Sequence, residues 1–71
     1  MEQKTTIQGH IVSYDSELHD GIYYLSMILP PNESRVFFDE AFNRESATFE
    51  DHRGYKFKLA HHGGEYELTR A

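Results

Sequence analysis

Ile22-Tyr23-Tyr24-Leu25-Ser26-Met27-Ile28-Leu29, closed by Pro30-Pro31-Asn32, is the stretch on which the fold turns. It is nearly apolar and rich in Ile and Tyr, types that suit the half-buried, pleated surface of a strand. Proline donates no ladder hydrogen bond and restricts the residue before it, so the run ends at Leu29. Immediately upstream, Asp15 to Gly21 collects turn formers and finishes in Asp-Gly, which predicts a loop leading into this strand. Further back, residues 5 to 14 are rich in β-branched types and set Ile7 and Ile11 among polar neighbours. They predict a first strand, with Gly9 marking a bulge or sharp bend.

An antiparallel pairing of these two strands with Tyr14 opposite Ile22 sets Ile11 against Leu25 and Ile7 against Leu29. The other face then brings Val12 to Tyr24. One face is aliphatic and the other aromatic, and a slip of one residue would mix the two sets. Downstream, Arg35 to Phe42 reads two ways. Val36-Phe37-Phe38 favours a strand, whereas Phe38 and Phe42 stand at helical spacing with Asn32 as a possible cap. We take 35 to 39 as a strand and leave 39 to 46 open. Asn43 to Ser46 makes a polar turn, and Ala47 to Arg53 is a connection that buries Phe49.

The last hairpin carries the clearest alternation. Tyr55, Phe57 and Leu59 alternate with Lys56 and Lys58, and Tyr66 and Leu68 with Glu65 and Glu67. Pairing 60 with 65 across His61-His62-Gly63-Gly64 places Leu59 opposite Tyr66 and Phe57 opposite Leu68 on the buried face, with Lys58 opposite Glu67 on the wet one. Five short strands then describe one all-β domain over residues 1–71, a small five-stranded antiparallel barrel of the OB type, with an SH3-like barrel as the rival.

The chain has 71 residues, 38% hydrophobic and 14% aromatic, so it has room for one core and is too rich in core formers for a disordered segment. Twelve acidic residues against seven basic ones give a net charge of −5, which argues against affinity built on neutralising many phosphates. The absence of Cys excludes disulfides, thiolate metal sites and thiol nucleophiles. The N-terminal Met-Glu-Gln-Lys-Thr does not resemble a signal peptide, and no apolar run approaches the ~20 residues needed to span a bilayer. The expectation is a cytoplasmic protein without membrane contact.

The order of elements resembles the cold-shock domain, a small OB-fold family that binds single-stranded RNA and DNA. Gly9-His10-Ile11-Val12-Ser13-Tyr14-Asp15 is similar to that family's G-x-V-K-W-F-N strand, and Asp20-Gly21-Ile22-Tyr23-Tyr24-Leu25 to its K-G-F-G-F-I motif. Val36-Phe37-Phe38-Asp39-Glu40 stands where V-F-V-H-F would be, and His52 to Leu59 resembles the segment opening the fourth strand. The resemblance implies a base-stacking face at Tyr14, Ile22, Tyr24 and Phe37, worth about 1–3 kcal/mol per stacked base. Ser13 replaces the family's tryptophan, Val12 and Asp20 replace lysines, and Asp39 and Glu40 replace a histidine and a phenylalanine.

Other chemistry finds little support. The five histidines, His10, His19, His52, His61 and His62, lack metal-ligand spacing. No nucleophile elbow, paired acid and base or phosphate loop is visible, so neither a catalytic residue nor a cofactor is expected. Acidic residues cluster instead around the predicted third strand, at Glu33, Asp39, Glu40, Glu45, Glu50 and Asp51. The sequence therefore predicts a non-catalytic binding module, monomeric or weakly dimeric, whose acidic surface at Asp39 and Glu40 meets a protein partner with a basic surface. Single-stranded RNA or DNA binding through the aromatic face is the alternative.

Overall fold

The computed structural model describes residues 2–71. Glu2–Ile7 (β1) and His10–Asp15 (β2) form an antiparallel hairpin, with Thr5 opposite Val12 and Ile7 opposite His10. The stretch predicted as one strand is thus folded back on itself. Gln8 and Gly9 make the turn, both with positive φ (52° and 82°), the geometry of a two-residue hairpin that matches strand twist.

Ser16 to Ile28 is helical. A 3-10 turn at Ser16–Leu18 leads into a short α-helix at His19–Tyr23 (α1), which widens into a π-helical turn at Tyr24–Ile28. The segment predicted as the second strand therefore takes no part in the sheet. Its apolar residues explain why: Leu18, Ile22, Leu25 and Leu29 recur at helical spacing, and the first three are buried. Asp15 starts the segment, its Oδ1 accepting from the Glu17 backbone N–H at 3.0 Å, and this hydrogen bond holds the carboxyl below its ordinary range. The Ser26 hydroxyl donates to the Ile22 carbonyl (2.8 Å), and the Leu29 N–H closes the wide turn on the Tyr24 carbonyl (2.9 Å).

Gly21, expected in a turn, sits inside α1 where the helix lies directly on the sheet. A Cβ there would meet Leu68 Cδ2 at 2.8 Å and Phe57 Cδ1 at 3.0 Å. The glycine is required by close approach, not by backbone conformation.

Pro31–Arg44 forms a second helix (α2), so the predicted third strand at 35 to 39 is also helical. Proline suits its first turn, where an N–H would have no intrahelical partner. Ser34, Phe38 and Ala41 are buried at i, i+4 and i+7, and that stripe outweighs the local β-preference of Val-Phe-Phe. Asn32 does not cap it, since Pro30 precedes the helix and Glu45 closes it in a left-handed conformation (φ 74°). Gln8 Nε2 ties the start of α2 to the β1–β2 turn through the Pro31 carbonyl and Ser34 Oγ, both at 2.9 Å. At the other end the His61 N–H donates to the Glu45 carbonyl (2.9 Å). At about 1.5 Å per residue α2 spans roughly 21 Å, from the β1–β2 turn at its start to the strands β3 and β4 against which it packs.

Ser46–Glu50 (β3), Lys56–His62 (β4) and Glu65–Arg70 (β5) form an antiparallel meander, and β5 pairs in parallel with β2. The sheet order is β1-β2-β5-β4-β3. It is a mixed sheet that remains open, with β1 and β3 as edges, in place of the predicted closed antiparallel barrel. The predicted connection at 47 to 53 supplies the edge strand β3, and its Phe49 is buried as expected.

In the last hairpin Ala60 pairs with Glu67 and His62 with Glu65, two residues away from the predicted register. The turn is the tight Gly63-Gly64 pair, with φ of 55° and 87°, so both histidines join the ladder. Leu59 accordingly faces Leu68, Phe57 faces Arg70 and Lys58 faces Thr69. An even shift leaves every side chain on its predicted face, which is why Phe57, Leu59, Tyr66 and Leu68 are all buried. The core lies between this face and the helices, with Val12, Leu25, Phe38, Leu59 and Leu68 nearly sealed from solvent.

Candidate functional site

The four residues predicted as an aromatic platform fall in two different settings. Tyr14 (7% exposed) and Ile22 (6%) are core residues on β2 and α1, not members of an exposed aromatic face. Tyr24 and Phe37 are half-buried and converge from the two helical segments on Phe49 of β3, with ring centroids 6.0 and 5.2 Å from it. Tyr24 also stacks on His52 (5.9 Å), and Phe49 on Phe57 (5.5 Å). The rings of this group are satisfied by one another, and they close the gap between helices and sheet beside β3.

A second aromatic group fills the opposite end of the sheet. His10 stacks on Phe38 (4.7 Å) and meets the edge of Tyr66 (5.1 Å), while His61 lies 5.0 Å from both Tyr66 and Phe42. Burial pushes the Tyr66 phenol above its ordinary value, and the Asp39 charge adds to this. The two imidazoles flank one phenol, and no set of three His, Asp or Glu side chains among the described residues converges as a metal site would require.

Asp39 and Glu40 are exposed on α2, where Asp39 lies 3.7 Å from Arg35 one turn earlier. They belong to a larger pattern. Residues 16 to 45 carry six acidic side chains against two basic ones, four of the five net negative charges of the chain. The same layer carries five of the seven exposed large apolar side chains among the described residues: Tyr23, Met27 (69% exposed), Ile28, Val36 (58%) and Phe42 (63%). Tyr23 and Met27 are four residues apart on the first helical segment. On α2, Val36 stands at i+3 from Glu33 and i−4 from Glu40, so an apolar side chain is bracketed by two carboxylates. The sequence reading missed Tyr23, Met27, Ile28 and Val36 because it placed them on strands, and left Phe42 undecided, although the 3.6-residue spacing of Leu18, Ile22, Leu25 and Leu29 carried the helical signal.

The helical layer therefore presents a surface at once apolar and acidic. No helix among the described residues is long and apolar enough to cross a membrane. No family model matches the chain, and no curated protein or solved structure is similar to it.

Proposed function

We propose that the protein is a non-catalytic interaction module that presents the outer surface of its helical layer to a partner protein bearing basic and apolar side chains. The observation that carries this reading is the coincidence of charge and apolarity: most of the net negative charge and most of the exposed large apolar side chains lie on the same 30 residues. Hydrophobic contact at Tyr23, Met27 and Val36 supplies affinity, while Glu33, Asp39 and Glu40 select a basic partner and speed its approach. Exposed apolar side chains of this number are unnecessary for the core, which is closed beneath them.

The test is affinity capture with the native chain beside Val36→Asp and the double variant Glu33→Lys, Glu40→Lys, each confirmed folded. A partner retained by the native chain, lost with Val36→Asp and bound more slowly by the double variant at low salt supports the reading. Partners recovered equally by all three chains overturn it. A titration with uridine-rich and thymidine-rich oligonucleotides completes the experiment. Saturating shifts confined to Tyr24, Phe37 and their neighbours would replace the protein partner with a single-stranded nucleic acid.

A further inference from the structure

The backbone of β3 is hydrogen-bonded along one side. The His61 N–H donates to the Glu45 carbonyl and the Asp51 N–H to the Tyr55 carbonyl, both at 2.9 Å, and between them Ala47 stands opposite Leu59 and Phe49 opposite Phe57. Hydrogen-bonded residues alternate along an antiparallel pair, so Glu45, Ala47, Phe49 and Asp51 turn their N–H and C=O groups to β4. Ser46, Thr48 and Glu50 turn theirs outward, at the edge where the sheet ends. β4 beside it and α2 over its buried face are the elements packed most closely against β3, and Thr48 and Glu50 are exposed. The strand pairs with β4 through five consecutive residues without a bulge, and it holds neither the proline nor the lysine that often blunts an edge.

The helical side of this edge is aromatic and acidic. Tyr24 and Phe37 stand over Phe49, and each is half-buried. On α2, Phe37 borders the buried stripe of Ser34, Phe38 and Ala41. Glu33 and Glu40, at i−4 and i+3 from Phe37, are exposed beside it, with Arg44 one turn further along. Because Phe37 reaches β3 while Phe38 reaches Tyr66 of β5, this flank of α2 is the one above the open edge. Glu50 is exposed on the strand, Glu45 is exposed just before it, and Lys56 stands opposite Glu50 in the ladder. Past the end of the strand His52 stacks on Tyr24, and Arg53 is paired with Asp20 at 3.5 Å. Along the edge, then, the carboxylates of Glu33, Glu40, Glu45 and Glu50 outnumber the cations of Arg44 and Lys56. The other edge is different: β1 carries Lys4, and it turns Gln3 and Thr5, not rings, toward the helical side.

We propose that β3 takes an extended segment of a partner protein as a sixth, antiparallel strand, and that apolar and basic residues alternate in that segment. The outward groups of Ser46, Thr48 and Glu50 supply main-chain hydrogen bonds, and the side chains supply the choice of sequence. Successive side chains of a paired strand take opposite faces. The apolar ones lie on the helical side against Tyr24 and Phe37, below Glu33 and Glu40, and the basic ones lie on the open side beside Thr48 and Glu50. An acidic segment would meet repulsion there, and a second copy of this chain would bring a like excess of carboxylates to the edge. The edge shares Glu33 and Glu40 with the outer helical surface but needs none of Tyr23, Met27 and Val36, so the two surfaces are separable by experiment.

The experiment is an amide-resolved NMR titration of the full chain, with hydrogen exchange, using three end-capped peptides: Lys-Val-Lys-Ile-Lys-Val-Lys, the same peptide with the backbone nitrogens of its two inner lysines methylated, and its counterpart with glutamate at every lysine. In the free chain the Thr48 and Glu50 amides exchange faster than those of Ala47 and Phe49. Protection gained at Thr48 and Glu50 with the first peptide, and affinity weaker by about tenfold or more for the other two, supports the proposal. Thr48→Pro removes an outward N–H and no bond to β4, so the folded variant loses binding. Glu50→Lys, which leaves the backbone intact, weakens it several-fold at low salt. Equal affinity for the methylated peptide overturns the proposal, as does no saturable shift up to ~10 mM. Shifts confined to Tyr23, Met27 and Val36 overturn it while leaving the outer helical surface standing. Protection of Thr48 and Glu50 on concentrating the chain without peptide overturns it in favour of a second copy.

Discussion

The open face of the sheet and the outer surface of the helical layer are both exposed, yet they are built differently. On the sheet, small and polar residues such as Ser13, Thr69 and Ala60 occupy the middle strands, and charges of both signs are spread among the strands. Lys4 reaches Glu65 at 3.4 Å and His62 reaches Glu67 at 4.0 Å. Ile11 is the one large apolar side chain exposed there among the described residues. The helical layer instead displays Tyr23, Met27, Ile28, Val36 and Phe42 among an excess of carboxylates. The contrast teaches that one surface is finished by its own cross-strand neighbours, while the other leaves large apolar side chains exposed, of which Phe42 alone among the described residues is engaged by a ring of the sheet, that of His61.

The largest expected effect separates the two sides of a single helix. Phe38→Ala removes a ring sealed between His10 and Tyr66 and should cost about 3–5 kcal/mol in urea unfolding. Val36→Ala, two residues away on the outer face, should fall within about 0.5 kcal/mol of the native chain. A comparable loss at Val36 would show that the outer surface serves the fold.

Next in size is Gly21→Ala. Alanine is favoured over glycine in a helix by about 1 kcal/mol, but here its Cβ collides with Leu68 and Phe57. Overpacking of this kind costs about 1–3 kcal/mol, so thermal unfolding should show a net loss of stability. A gain would mean that the helix lifts from the sheet without penalty.

A smaller effect is set by pH. Burial raises the folded-state pKa of Tyr66 above the ordinary 10.0. The folded chain therefore keeps its proton after the unfolded chain has lost it. That stabilisation is complete below pH 10 and is lost as pH rises through the raised value. Unfolding followed across this alkaline range should show the decline, and Tyr66→Phe should remove that part of it. Smallest of all, Lys4→Ala on the open face removes an exposed ion pair and should change stability by less than about 1 kcal/mol.

How legible each part was depended on how local its determinants are. The β4–β5 hairpin showed its buried face because alternation is a property of adjacent residues, and Gly63-Gly64 marked the turn even though the register was placed two residues away. Tyr14 was misplaced for the opposite reason: as a strand residue it has two faces, and only the packing of helices over one of them decides which is dry. The acidic surface was legible as composition, since Asp39 and Glu40 are exposed, but its apolar component at Tyr23, Met27 and Val36 was hidden by the strand reading.

The sequence by itself determined the charge, the alternation that buries Phe57, Leu59, Tyr66 and Leu68, and the burial of Phe49, because these depend on residue type and a period of two. Tertiary structure decided that Ile22 to Leu29 and Arg35 to Phe42 are helical. The β-preference of Ile, Tyr, Val and Phe is worth no more than about 1 kcal/mol at each position, and it depends on what each side chain packs against. Burying Leu18, Ile22, Leu25, Phe38 and Ala41 as two helical stripes on one face of the sheet is worth more than that preference. With the helices taking that face, Glu2–Ile7 and Ser46–Glu50 were left to complete the sheet at its two edges.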